Sequence, residues 1–219
     1  MPEFLQVMID ALPLLMQGLG LTIYLAVVSL ALATVIGLIS GLMTLSKRVW
    51  LYGPARFYVN LIRGTPLLVQ ILFIYFGIPA VMNVKLSPIV AGIIAISFHI
   101  GAYVSEVFRA GIESVDKGQT EAGRSLGMTQ FQTMRKIIIP QATRSMIPPM
   151  MNQFIMGVKD TSLLAVIGVA ELTQRGQSIY AVNYRAFEIL TLVALIYFIL
   201  TYTLYRLSRV VEKKFGASR

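Results

Sequence analysis

Cysteine is absent, which excludes disulfides, Cys-ligated zinc and a thiol nucleophile from this chain. No His-Glu-x-x-His pair, Gly-x-Ser-x-Gly elbow or Gly-x-x-x-x-Gly-Lys-Ser/Thr phosphate loop occurs, so the sequence offers no metal, acyl-transfer or nucleotide site of its own. Charge is also scarce: 13% of the 219 residues, with ten acidic side chains against nineteen Lys and Arg. A soluble domain carries about 25% charged residues. This chain lacks the polar coat that water demands.

Apolar residues take the place of the missing charge. They make up 56% of the chain, and its mean hydropathy is +0.73. No acidic or basic side chain interrupts 11–46, and 64–84 and 86–105 hold none but Lys85 between them and His99. Each run meets the roughly 20 residues needed to cross a hydrocarbon core about 30 Å thick. The chain is therefore expected to be an all-α polytopic membrane protein. Its spans should lie near 18–45, 65–82, 88–108, 145–166 and 186–207, within one membrane domain, 1–219. The first 18 residues hold Glu3 and Asp10 but no Lys or Arg, whereas a cleavable signal begins positively charged, so the first span is expected to be retained.

The net charge of +9 does not point to nucleic acid, because the basic residues are not gathered on one soluble face. They sit between the apolar runs. Fifteen fall in 46–64, 109–147 and the tail after 205, while Lys85, Arg175 and Arg185 fall in the alternate connections. That bias places the N-terminus outside and the C-terminus in the cytoplasm.

Local motifs describe architecture. Gly37-x-x-x-Gly41 is a close-packing pattern for membrane helices, read here as packing within the chain. Thr65 is a candidate cap and Pro66 a candidate first residue for the second span, and Pro79 should end or kink it.

The connection from Arg109 to Arg144 is too long and too organised for a simple turn. It reads Glu121-Ala122-Gly123-Arg124-Ser125-Leu126-Gly127, then nine residues, then Ile137-Ile138-Ile139-Pro140. A short surface helix is expected there, with Glu121 at its positive end, Gly127 as terminator and Pro140 as a second boundary. This order resembles the Glu-Ala-Ala loop of bacterial ABC importer permeases, departing only at Gly123 (usually Ala) and Ile139 (usually Leu). The blocks Arg63–Gln70, Ala102–Arg109 and Lys159–Leu164 also resemble the polar amino-acid branch of that family, which serves histidine, glutamine and arginine. The likeness covers nearly the whole chain.

The resemblance implies a type I ABC importer fold in a prokaryotic inner membrane, without an ATPase site in this chain. ATP and magnesium would be bound by separate ATP-binding-cassette subunits. A second permease copy or paralogue, an extracytoplasmic solute-binding protein and membrane lipid complete the implied partners. Glu121, Ala122, Gly123, Ser125, Leu126 and Gly127, with Pro140, would couple the spans to the ATPase. Movement of that loop would drive alternating access for an amino-acid substrate.

Ionisable groups inside spans are costly and so are candidates for the pathway. His99, Tyr103 and Glu106 share one face of the third span; Asn152, Met156 and Lys159, with Asp160 adjacent, share one face of the fourth. Each has a structural alternative. Glu106 can pair with Arg109, His99 can join two helices, Lys159 and Asp160 can form an ion pair at a helix break, and Met156 can simply fill space. Asn152 can repair the backbone broken by Pro148 and Pro149. Glu106 and Asp160 are the only acidic groups in these spans, which would suit a basic amino acid. A rival reading is an ion-coupled carrier with His99 and Glu106 as a proton relay. Such carriers are generally built from internal repeats, and none is found here. A membrane enzyme lacks a nucleophile–base or metal cluster.

Overall fold

A computed structural model describes residues 3–215, with side chains from 6 to 214. Arg219, counted above in the basic tail, lies outside the described residues. Among those described there is no strand. The elements are α1 (Glu3–Thr44), α2 (Val49–Arg63), α3 (Leu67–Leu72), α4 (Ile78–Met82), α5 (Pro88–Glu113), α6 (Lys117–Ser125), α7 (Gln130–Thr133), α8 (Ile139–Asp160), α9 (Leu172–Asn183) and α10 (Ala186–Phe215).

The first span begins far earlier than position 18. At 42 residues, α1 is about 63 Å long, roughly twice the hydrocarbon thickness. Its N-terminal part is held by tertiary packing. Ala11 and Leu15 are buried with Leu172 of α9 and Ile189, Val193 and Ile196 of α10. Its C-terminal part belongs to a second core, where Leu25 and Ala33 pack with Ala95, Ile96, Ile100 and Val104 of α5.

Two glycines set that second contact. A Cβ at Gly37 would lie 2.5 Å from Val104 Cβ and 2.9 Å from the Gly101 carbonyl oxygen; one at Gly41 would lie 3.2 Å from the Ser105 carbonyl oxygen. The Gly37–Gly41 pattern is thus the seam between α1 and α5 within the chain. Ser97 adds a cross-helix bond, its hydroxyl donating to the Ser29 carbonyl at 3.2 Å.

Five equal spans do not emerge. Three helices, within α1, α5 and α10, are long and apolar enough to cross a membrane. Among the described residues one further pair, α2 with α3–α4, passes the same test only when taken together, and it is bent by 108°, the geometry of a broken span or a re-entrant loop. The remaining expected span, 145–166, is α8 followed by a 3₁₀ turn at Thr161–Ile167. Arg144, Asn152, Gln153, Lys159 and Asp160 make α8 too polar to stand alone in lipid, and it packs against α5, α10 and α1.

Segment 46–64, read above as a basic connection, contains the helix α2. It buries Ala55 and Val59 and turns other residues outward. The basic residues around it masked its apolar stripe. Thr65 does not cap α3 through its side chain; Pro66 occupies the cap position, and the Thr65 hydroxyl donates to the Leu61 carbonyl at 2.9 Å.

Both Pro79 and Pro140 lie two residues beyond a π-turn, Phe73–Gly77 and Met134–Ile138 respectively. Proline lacks an amide donor, and its ring collides with the carbonyl four residues back. Widening the turn relieves that collision: the Ile78 amide donates to Phe73 and the Ile139 amide to Met134, five residues back. Neither proline ends its helix. Pro140 therefore marks a joint, not a second boundary.

Gly37→Val is expected to destabilise the protein by about 1–3 kcal/mol through overpacking. Gly53→Ala should be close to neutral, since a Cβ there meets nothing within 4 Å. Thermal unfolding of the two variants in detergent checks the difference.

Candidate functional site

The α1–α5 seam uses Gly101, Val104 and Phe108 of α5. At about 100° per residue, His99, Tyr103 and Glu106 then fall on the opposite side of that helix. The bend between α2 and α3 closes over this polar face. Gln70, largely buried, holds the bend: its Nε2 donates to the Ile62 carbonyl at 2.8 Å and to Thr65 Oγ1 at 2.8 Å. With both amide hydrogens so placed, Gln70 Oε1 is the acceptor facing His99 Nδ1, 3.0 Å away. His99 Nδ1 is therefore the donor in this bond, and in the neutral ring Nε2 keeps its lone pair as an acceptor. The His99 and Tyr103 rings lie 5.2 Å apart.

Glu106 carries more pairing than the sequence suggested. Arg109 lies 3.0 Å from its Oε2, as expected from their spacing, but Arg56 Nη1 of α2 is also 3.1 Å from Oε1 and Arg63 Nη1 3.1 Å from Oε2. Arg109 also pairs with Glu113, and the Arg63 guanidinium lies 5.6 Å from the Tyr103 ring centroid. Arg56, Arg63 and Gln70 were not site candidates in the sequence, although Arg63 and Gln70 bound a block that resembles the family. The basic pair looked like topology signals alone, and their long reach to Glu106 depends on the 108° bend.

Beside this cluster opens a cavity of about 390 Å³, lined among others by Arg63, Tyr103, Glu106, Ser145, Pro149 and Gln153. The fourth-span candidates occupy the same broad face of α8 as Pro149 and Gln153. Asn152, Met156 and Lys159 are exposed and Asp160 is half-buried. None of these four lines the cavity. Neither Asn152 repairing the proline break nor an ion pair between Lys159 and Asp160 is seen among the described contacts. The helix break itself is present, at Asp160–Thr161.

The expected surface helix is α6. It starts at Lys117, with the Asp116 carboxylate accepting from the Gly118 amide at 2.8 Å, so Glu121 lies mid-helix and not at its start. Its end is as expected. The Gly127 amide donates to Arg124 and the Met128 amide to Gly123, with Gly127 at φ 79°, which together form a Schellman ending. A capping box between Thr129 and Gln132 restarts the helix two residues later. Of the coupling candidates, Glu121, Ala122, Ser125, Leu126 and Gly127 are exposed, and Leu126 is 81% exposed. Gly123 is buried, its α-carbon against Thr133 and Ile137, and Pro140 is exposed at the joint. Gln141 donates to Gln119 at 3.4 Å, a second tie between α6 and α8.

A buried carboxylate was missed because it lies between spans. Glu171, fully buried, caps α9 by accepting from the Thr173 and Gln174 amides and from the Tyr197 hydroxyl at 2.8 Å. Burial pushes its carboxyl above the usual carboxylate range, while those donors pull it back.

A family described as the binding-protein-dependent transport system inner membrane component matches residues 33–216. The chain belongs to that family. Among this permease's relatives, the glutamine transport system permease protein of Escherichia coli (strain K12) is 42% identical over 205 residues, 93% of this chain and 94% of that one. The arginine transport system permease protein of Bacillus subtilis (strain 168) is 33% identical over 209 residues, 94% of each. The crystal structure of an amino acid ABC transporter with histidines superposes with a TM-score of 0.92 at 39% identity, over 98% of this permease and 99% of that chain. The fold alone also matches inward-facing MetNI methionine ABC transporter structures, with a TM-score of 0.78 at 21% identity.

Glu106→Gln would leave three guanidiniums around a neutral amide. Hydrogen bonds to charged groups are worth about 1.5–3 kcal/mol, so the permease should lose stability on that order, less in high salt because the arginines are partly exposed. Thermal unfolding at low and high ionic strength reads both effects.

Proposed function

We propose that this chain is the permease subunit of an ATP-driven importer for a polar amino acid. One observation carries the reading: an exposed helix, α6, packs on the turn that leads into a helix, α8, that lines a cavity with polar groups. Gly123 packs on Thr133 and Ile137, and α7 runs through the π-turn into α8. A push on α6 is thereby delivered to Ser145, Pro149 and Gln153.

In this reading the cavity is half of a pathway, completed by a second copy or a paralogue about a twofold axis. Separate ATPase subunits bind ATP and magnesium and dock on α6, with exposed Leu126 as an apolar contact. A solute-binding protein delivers substrate on the other side, where the N-terminus lies. ATP-driven closure moves α6, the spans open outward, and hydrolysis resets them. Tyr103 lines the cavity; His99, outside that lining, would accept through Nε2 from a substrate ammonium or amide, and Asn152, Met156 and Lys159 would be pathway groups beyond it. Glu106 is held by three arginines. It is not a free counter-charge for a basic side chain, which leaves Asp160 as the acidic support for a basic substrate. The relatives named for glutamine and arginine keep both neutral and basic amino acids in play.

The coupling role is tested at Gly127. A Cβ there meets no neighbour, so steric room is not at issue. The cost is the left-handed backbone, about 1–2 kcal/mol for an L side chain. Gly127→Leu should keep membrane insertion while ATP hydrolysis by the complex proceeds with uptake reduced at least tenfold. Normal uptake per ATP in proteoliposomes would overturn the lever. Uptake that survives ATP depletion but fails with an uncoupler would overturn ATP drive altogether.

A further inference from the structure

The face of α8 turned away from the cavity borders an open groove. Toward the middle of α1 lies a pocket of about 250 Å³ formed by Val27, Leu30, Met151, Phe154, Leu200 and Leu204, with every lining residue apolar. It adjoins a second pocket of about 370 Å³ toward the α6 end, reaching Leu38, Thr143, Ile147 and Val211, and the two share Met151 and Phe154. The only hydroxyls in this lining are Thr34 and Thr143. Each is spent on its own helix, donating to Leu30 at 2.7 Å and to Ile139 at 2.8 Å. From Ile23 to Leu38 the groove follows α1 for about 22 Å, more than one leaflet of a hydrocarbon core about 30 Å thick. It opens sideways, since Val27 is 62% exposed.

An amino acid cannot be the occupant, because nothing there answers its charges. A second permease copy is disfavoured by position: on the reading above the twofold axis lies at the cavity, on the other side of α8. At about 100° per residue, Arg144 falls within about 20° of Met151 around α8, just beyond Ile147 at the α6 end, and it is exposed. The end of α10 adds Arg206, Arg209 and Lys213 to the same end of the bundle.

We infer that this groove binds one anionic phospholipid, with an acyl chain along α1 between α8 and α10 and its phosphate beside Arg144. Basic pockets between helices at such an end suit anionic headgroups. Because α8 moves in transport, a chain packed behind it would bear on the movement.

The test is native mass spectrometry of the delipidated permease–ATPase complex, titrated with palmitoyl-oleoyl phosphatidylglycerol and, separately, with phosphatidylcholine of the same chains. One lipid per copy of this chain is expected, with phosphatidylglycerol retained about fivefold better, as one cation at an anionic headgroup implies. Arg144→Gln should abolish that preference and leave phosphatidylcholine retention unchanged. Met151→Trp, which fills the shared waist, should lose both lipids. Equal retention of the two lipids by the wild type, or undiminished retention by Met151→Trp, overturns the site. So does an intermolecular disulfide in Met151→Cys, whose cysteine would be the only one in the chain, because a second copy would then cover the groove. A complex that retains lipid in this pattern but imports no amino acid would sink the proposed function and leave the lipid site standing.

Discussion

The close approach of α1 and α5 is the constraint on which the rest depends. Gly37 admits the backbone of Gly101 to a distance that no side chain allows, and Gly41 admits that of Ser105 to one that few would tolerate. Once that seam is fixed, the rotation of α5 is fixed too. His99, Tyr103 and Glu106 must face away from α1, toward the bend held by Gln70 and toward α8. The polar face needs no packing of its own to be aimed. It inherits its direction from an apolar contact on the far side of the same helix, so a failure at the seam would misplace the pathway before any polar residue changed.

The arginine cluster and the bend support each other. Arg56 and Arg63 reach Glu106 only because α2 turns back across α5, and the turn is held open by Gln70 bonding to Ile62 and Thr65. Tyr58 anchors the other side of α2, its hydroxyl donating to the Phe98 carbonyl at 2.6 Å. At the end of the bundle that carries α6, stiffness comes from a different source. The Schellman ending, the capping box and the π-turn before Pro140 are all local hydrogen-bonding devices, so that segment holds its shape with little core beneath it.

Much of this was legible in the sequence, and the gaps have identifiable causes. The membrane class follows from scarce charge and long apolar runs, and the family from the Glu121–Pro140 spacing. The shared face of His99, Tyr103 and Glu106 follows from helical period alone. The helix α2 was not legible, because four basic residues in 46–64 read as a topology signal that masks its apolar stripe. The start of α6 was misplaced because Glu121 is acidic and near a helix, while the capping oxygen belongs to Asp116, whose role depends on one local bond. Glu171 was invisible because a lone carboxylate between spans looks solvated; only the fold shows Tyr197 bonding to it. Polar α8 was counted as an ordinary span because sequence cannot show that its neighbours shield it.

The central claim is that α6 and the cavity face of α8 move as one body under nucleotide control. Spin labels at Ser125→Cys and Gln153→Cys in one subunit of the assembled complex, read by pulsed electron resonance with and without bound ATP, test it most directly. The account predicts an intrasubunit distance unchanged by ATP, while the distance between Gln153→Cys labels on the two permease subunits shifts. An intrasubunit distance that changes with ATP, with the intersubunit one still, would contradict it.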